Sequence, residues 1–118
     1  MWLKLRWARF FTLAGWKWRL ANRPGFDFIV TFPCRHSECH GSHTLLVRIS
    51  EKVHDALARK HDELYDIDFM YTEPNPALFG AGPDNTHWQM VHGNGGGCET
   101  VSGWVPDAQK LWERAAHE

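Results

Sequence analysis

Apolar residues recur at Leu3, Trp7, Phe10 and Ala14, with Lys4 and Arg9 on flanking positions. That three-to-four spacing buries one stripe of a helix, so a helix is predicted over residues 2–14, ended by Gly15. The period then drops to two. Trp16, Trp18 and Leu20 alternate with Lys17 and Arg19, the pattern of a short strand, before the turn formers Asn22, Arg23, Pro24 and Gly25. A second strand sets Phe26, Phe28, Val30 and Phe32 against Asp27, Ile29 and Thr31, and Pro33 closes it. In the run 44–50, Leu45, Val47 and Ile49 share one face, leaving Leu46, Arg48 and Ser50 on the other.

Ser50 is placed to cap a helix over residues 51–62, with Val53, Ala56 and Leu57 inward and the Lys60 stem lying over apolar surface. A further strand is expected over 66–72, where Ile67, Phe69 and Tyr71 alternate with Asp68, Met70 and Thr72. Residues 73–103 are dense in proline and glycine and read as mainly irregular, with a short strand near Trp88, Met90 and His92. Pro106 and Asp107 open a last helix carrying Ala108, Leu111, Trp112 and Ala115. The expected architecture is α/β or α+β, a small mixed sheet flanked by helices.

At 118 residues with 43% hydrophobic content, the chain fits one domain, residues 1–118, with a modest core. Seven Trp and seven Phe supply much of its apolar area. A formal net charge of -1 gives no overall attraction to polyanions, so any nucleic-acid contact needs a local patch. The candidates are Arg6, Arg9, Lys17, Arg19 and Arg23, joined by Lys4 and set against an acidic stretch of Asp62, Glu63, Asp66, Asp68 and Glu73. No apolar run is long enough to cross a bilayer, and MWLKLRWARF lacks the apolar core and cleavage pattern of a secretory signal. A cytoplasmic location without a membrane partner is expected, the amphipathic start being read as core-facing.

Three cysteines, an odd number, argue against a disulfide framework and leave the thiols for metal or burial. The loop CRHSECHGSH, residues 34–43, crowds two thiols and three imidazoles between two strands. Cys34, His36, Cys39 and His43 form a C-x-H-x₂-C-x₃-H set of the donor types Zn²⁺ accepts, and a structural zinc would staple a polar hairpin connection. The fourth ligand stays open among His36, His40, His92 and Cys98. Small buried thiols beside solvent-exposed histidines are the plainer alternative. Glu38 is the one acid inside the loop, and nothing in the sequence positions it as a general base for hydrolysis. Gly93, Gly95, Gly96 and Gly97 lack the Lys and Ser/Thr of a phosphate-binding loop, and no G-x-S-x-G nucleophile turn occurs.

The succession of a first helix, AGWKWRL, PGFDFIVTF, LLVRIS and the terminal LWERAA resembles small nuclease-like proteins of phages and actinobacteria in the PD-(D/E)xK superfamily, over roughly half of the chain. The resemblance implies a restriction-endonuclease-like core bearing the Cys/His-rich hairpin loop. It places the first acid on Asp27, but puts Arg48 where the second acid belongs and Ser50 where the lysine belongs. Phosphodiester hydrolysis in that superfamily implies two carboxylates around a divalent cation, whereas an Asp27–Arg48 pair across adjacent strands would neutralise the position. The expected function is therefore a non-catalytic binding or inhibitory protein, of anti-CRISPR-like, anti-defence type, acting on a protein or nucleoprotein complex. The alternative is a small Mg²⁺- or Mn²⁺-dependent DNA or RNA nuclease that retains Asp27 and recruits a displaced acid such as Glu51.

Overall fold

The helix expected over 2–14 forms as α1 (Trp2–Ala14), and Gly15, at φ +79°, ends it. The computed structural model describes residues 2–37, 39, 41–50, 73–93 and 95–117. Among these residues six strands follow α1 in one sheet: β1 (Lys17–Leu20), β2 (Phe28–Pro33), β3 (Ser42–Ile49), β4 (Asn75–Phe79), β5 (Thr86–His92) and β6 (Gly95–Glu99). Two helices close the described chain, α2 (Val101–Trp104) and α3 (Ala108–His117). The helix expected over 51–62 and the strand expected over 66–72 lie outside the described residues.

The strands lie in chain order, each antiparallel to the next except β3 and β4, which run parallel and make the sheet mixed. Cross-strand registers join Phe28 to Val47, Val47 to Ala77 and Ala77 to Trp88, so these four side chains form one row on one face. Parallel rows hold Val30 with Leu45 and Phe32 with His43. Helices α1 and α3 cover this face. Trp7 of α1 is fully buried at their meeting point, with its ring centroid 4.8 Å from Phe79 and 4.5 Å from Trp112. Its indole N–H donates to the Gly80 carbonyl at 2.8 Å, which satisfies the one polar atom that so large a buried side chain carries. Phe11 packs edge-on against Phe28, and Trp16 stacks on Phe32 at 4.5 Å. The buried face of α1 comprises Trp7, Ala8, Phe10 and Phe11, with Leu3 and Ala14 of the expected stripe partly buried at its margins.

Two expectations change. Residues 73–103 carry three strands and a short helix rather than one strand in an irregular stretch. Pro76 hid β4, yet the pairing of β4 with β5 begins only at Ala77, so the residue without an N–H precedes the section paired on both sides. β6 consists of Gly95, Gly96, Gly97, Cys98 and Glu99, a stretch with no hydrophobic period to read, and it forms as the return arm of a tight hairpin from β5. The second change concerns Asp27. Strict alternation puts it opposite the Phe28 row, but it precedes the start of β2, and its carboxylate sits on the helical side, 2.7 Å from Lys4 Nζ and 2.7 Å from the Ile49 amide N–H that it accepts. Arg48 instead donates from Nε to the Gly25 carbonyl and lies over the Phe26 ring.

Arg6 binds α1 to α3. Its Nε and Nη2 donate to the Trp112 carbonyl at 3.0 and 2.8 Å, and its guanidinium lies 4.0 Å from the centre of the Trp112 ring. Burial lowers its pKa from the ordinary value, and Glu113 opposes that shift. Arg6→Met is expected to lower stability by about 1–2 kcal/mol through the lost fork and ring contact. Arg9→Met, whose Nη1 reaches the Ala115 carbonyl only at 3.5 Å, is expected to cost less than about 0.5 kcal/mol. Urea midpoints of the two variants, at unchanged slope, check the difference.

Candidate metal centre

Three chain segments converge at one end of the sheet. β2 leaves the sheet at Pro33 opposite Ser42, where β3 enters, so Cys34 lies beside the first residues of β3. β5 is antiparallel to β4 and therefore to β3, which brings its last residue, His92, to the same end. β4 begins at Asn75, opposite Leu45. At the level of His43 the place between β3 and β5 is thus free of paired strand, and the His43 and His92 rings approach to 5.6 Å between centroids.

Cys34, Cys39, His43 and His92 offer four donor atoms that all lie within 4.8 Å of one another. His92 Nδ1 stands 3.6 Å from Cys34 Sγ and 3.4 Å from Cys39 Sγ. A tetrahedral zinc with bonds near 2.3 Å to sulfur and 2.0–2.1 Å to nitrogen has a sulfur-to-nitrogen edge of about 3.6 Å. The two sulfur-to-nitrogen separations match that edge, and the remaining donor pairs lie within 4.8 Å of one another. Cys34 and His43 are buried, at 7% and 3% exposure, and Cys39 and His92 are partly buried. This is a buried Cys₂His₂-like cluster able to chelate a metal ion.

The backbone positions each donor. The Cys34 N–H donates to the Gly41 carbonyl at 2.9 Å and ties the two ends of the loop together, while the Cys39 N–H donates to the His36 carbonyl at 3.0 Å across a turn. Gly93, at φ +64°, turns β5 into β6 and directs its N–H to Cys39 Sγ at 3.4 Å, a donor suited to a thiolate. His43 Nδ1 lies 3.4 Å from Glu73 Oε2, so with Nε2 turned to a metal this carboxylate would be near enough to orient the ring, as beside many ligating histidines. Trp104 roofs the cluster, 5.7 Å from His43 and 5.1 Å from His92 between ring centroids, and its indole N–H is held by Glu99 Oε1 at 3.0 Å. Burial raises the Cys34 thiol above its ordinary pKa, the His36 backbone opposes this, and Cys39 adds to it. A dication between the sulfurs relieves this cost of holding two thiolates together.

Of the residues expected as ligands, Cys34, Cys39 and His43 come together, and His92 takes the place given to His36. The exposed His36 ring packs edge-on against His92 at 4.9 Å. Cys98 is turned away because it pairs with Gln89, whose odd offset from His92 puts both on the opposite face, where Gln89 Nε2 donates to Cys98 Sγ. His87, also an odd number of residues from His92, is buried on that opposite face too. His40, Glu38 and Glu51 lie outside the described residues.

The remaining candidates are dispersed. Arg6 is committed to Trp112, and Arg9 reaches toward α3. Lys17, Arg19 and Arg23 are exposed, the first two on β1 and the third in the turn after it. Asp27 lies at the other end of β2 from the cluster.

A Cβ on Gly93 would stand 2.7 Å from the His36 ring, besides meeting the strain of a positive φ. Gly93→Ala is therefore expected to destabilise the protein in two parts. In a His36→Ala background the steric part disappears and a cost of about 1–2 kcal/mol remains, that of a non-glycine residue in the left-handed region. A double-mutant cycle on chemical denaturation checks this.

No family model matches this chain, no curated protein matches it, and no solved structure matches it, so these comparisons provide no link to the PD-(D/E)xK superfamily.

Proposed function

We propose that Cys34, Cys39, His43 and His92 hold a structural zinc ion, and that the protein is a non-catalytic binding protein whose sheet end is locked by that ion. The observation that carries this reading is the pair of sulfur-to-nitrogen separations, 3.6 and 3.4 Å, against a zinc tetrahedron edge of about 3.6 Å. Two thiolates and two imidazoles fill a tetrahedral zinc and leave no position for substrate or an activated water, the mark of a structural site. The position of Asp27 supports the absence of nuclease chemistry. Both of its oxygens are engaged, one by Lys4 and the other by the Ile49 amide. A carboxylate so held is a poor start for a Mg²⁺ or Mn²⁺ site, which needs acids converging with free oxygens. The protein acts by contact with a protein or nucleoprotein complex.

Metal analysis of protein purified without an affinity tag is expected to return about one zinc per chain. His92→Ala and Cys39→Ser lose the metal, whereas His36→Ala keeps it. Cobalt loaded in place of zinc gives the strong visible bands of a tetrahedral thiolate site. A metal-free wild type whose melting is unchanged by added zinc overturns the reading, as does DNA or RNA cleavage in Mg²⁺ or Mn²⁺ that Asp27→Ala abolishes.

Protons and zinc compete for the same four donors, and the ligating forms are the deprotonated ones. Zinc retention against a fixed chelator is therefore expected to fall as pH falls from about 8 to about 5. Melting temperature falls along with it in the wild type but not in the metal-free His92→Ala variant.

A further inference from the structure

The most exposed large hydrophobic side chains among the described residues are Trp2 at 53%, Leu5 at 49%, Trp18 at 39% and Leu20 at 71%. All four line a single groove of about 630 Å³ between the first turns of α1 and strand β1. Scattered exposed apolar residues need no explanation, but a concave cluster marks a contact surface. The acid lining this groove, Asp27, is already neutralised by Lys4.

β1 stands at the edge of the sheet, paired with β2 on one side and, among the described residues, with no strand on the other. Its four residues alternate: Trp18 and Leu20 face the groove, and Lys17 and Arg19 face the other side of the sheet. An incoming strand would meet the same alternation across the pair, apolar side chains opposite Trp18 and Leu20 and acidic ones opposite Lys17 and Arg19. Charge around the edge reinforces the choice. Lys17 and Arg19 of β1 and Arg23 in the turn after it are exposed, and the first 25 residues carry none of the chain's 14 Asp and Glu. A second copy paired through β1 is disfavoured, because it would set Lys17 and Arg19 against like charges.

We propose that β1 and the groove beside it receive an extended acidic segment of a partner protein, added as a strand with apolar side chains alternating with Asp or Glu. This deepens the reading of the protein as a binding module by naming the surface and the chemistry of its partner. The groove and the metal cluster lie at opposite ends of β2, so they fail or hold separately.

The probe is a capped nine-residue peptide alternating valine and glutamate, titrated into zinc-loaded full chain at low salt and followed by Trp fluorescence and calorimetry. Binding with a Kd below about 1 mM is expected. A valine–lysine peptide is expected to bind at least about tenfold more weakly, a difference that added salt reduces. Lys17→Glu combined with Arg19→Glu reverses the preference between the two peptides. Leu20→Asp, at a position with ample room, weakens the valine–glutamate peptide at least about tenfold while leaving zinc content and circular dichroism unchanged. Equal affinity for both peptides, failure of the charge exchange to reverse the preference, or vesicles of anionic phospholipid binding through Trp2 and Leu20 while the peptide does not, would each overturn the proposal. One zinc per chain without peptide binding sinks the groove alone, and peptide binding with charge reversal in a zinc-free protein sinks the metal reading alone.

Discussion

The parallel pairing of β3 with β4 decides where everything else lies. Because β2 is antiparallel to β3, and β5 antiparallel to β4, that single parallel step sends the end of β2, the start of β3 and the end of β5 to the same edge of the sheet. Cys34, His43 and His92 are the residues at those three ends. Had β4 run antiparallel to β3, the same hairpin to β5 would have carried His92 to the far edge, and the two thiols would have faced one imidazole. Such parallel neighbours need a long connection, so the cluster draws on residues distant in sequence.

Around that corner, apolar burial and polar chemistry are joined rather than separated. Phe32 lies in the core and also packs on His43 and on Trp104, which in turn covers both imidazoles. The aromatic layer over the sheet is thus continuous from Trp7 at the centre to the roof of the metal cluster. Low dielectric on that side strengthens attraction between a dication and its thiolates, and it makes unpaired thiolates costly. The loop from Pro33 to Ser42 has little apolar surface of its own to bury. A metal ion held by the four donors would supply the stabilisation that a larger hydrophobic contact otherwise provides.

The far end of β2 has the opposite character. There the apolar surface is uncovered, the strand edge is unpaired among the described residues, and the local charge is positive. An exposed edge of this kind is normally blunted by charge, and Lys17 and Arg19 do that against copies of this chain. The same two cations leave the edge open to an acidic strand. One end of the sheet gathers the four metal-ligand candidates, and the other carries the exposed apolar groove.

Much of the local structure was legible in the order of residues. The bounds of α1, the first three strands, the last helix and a strand through Trp88, Met90 and His92 follow from period 3.6 or period 2, because each element buries a single face. His43 is in phase with Leu45 and Val47, and His92 with Trp88 and Met90, a signal for core-facing imidazoles that the pairing of the strands makes plain. Cys34, Cys39 and His43 were close enough in sequence for local spacing to suggest a shared metal. The choice of His92 over His36, His40 or Cys98 was not legible, nor were β4 with its Pro76, β6 with its glycines, or the turn of Asp27 toward Lys4. Each depends on which strand lies beside which and in what register, a relation between segments far apart in the chain. Hydrophobic period reports which face a residue occupies, but the meeting of strand ends is decided only when the sheet assembles.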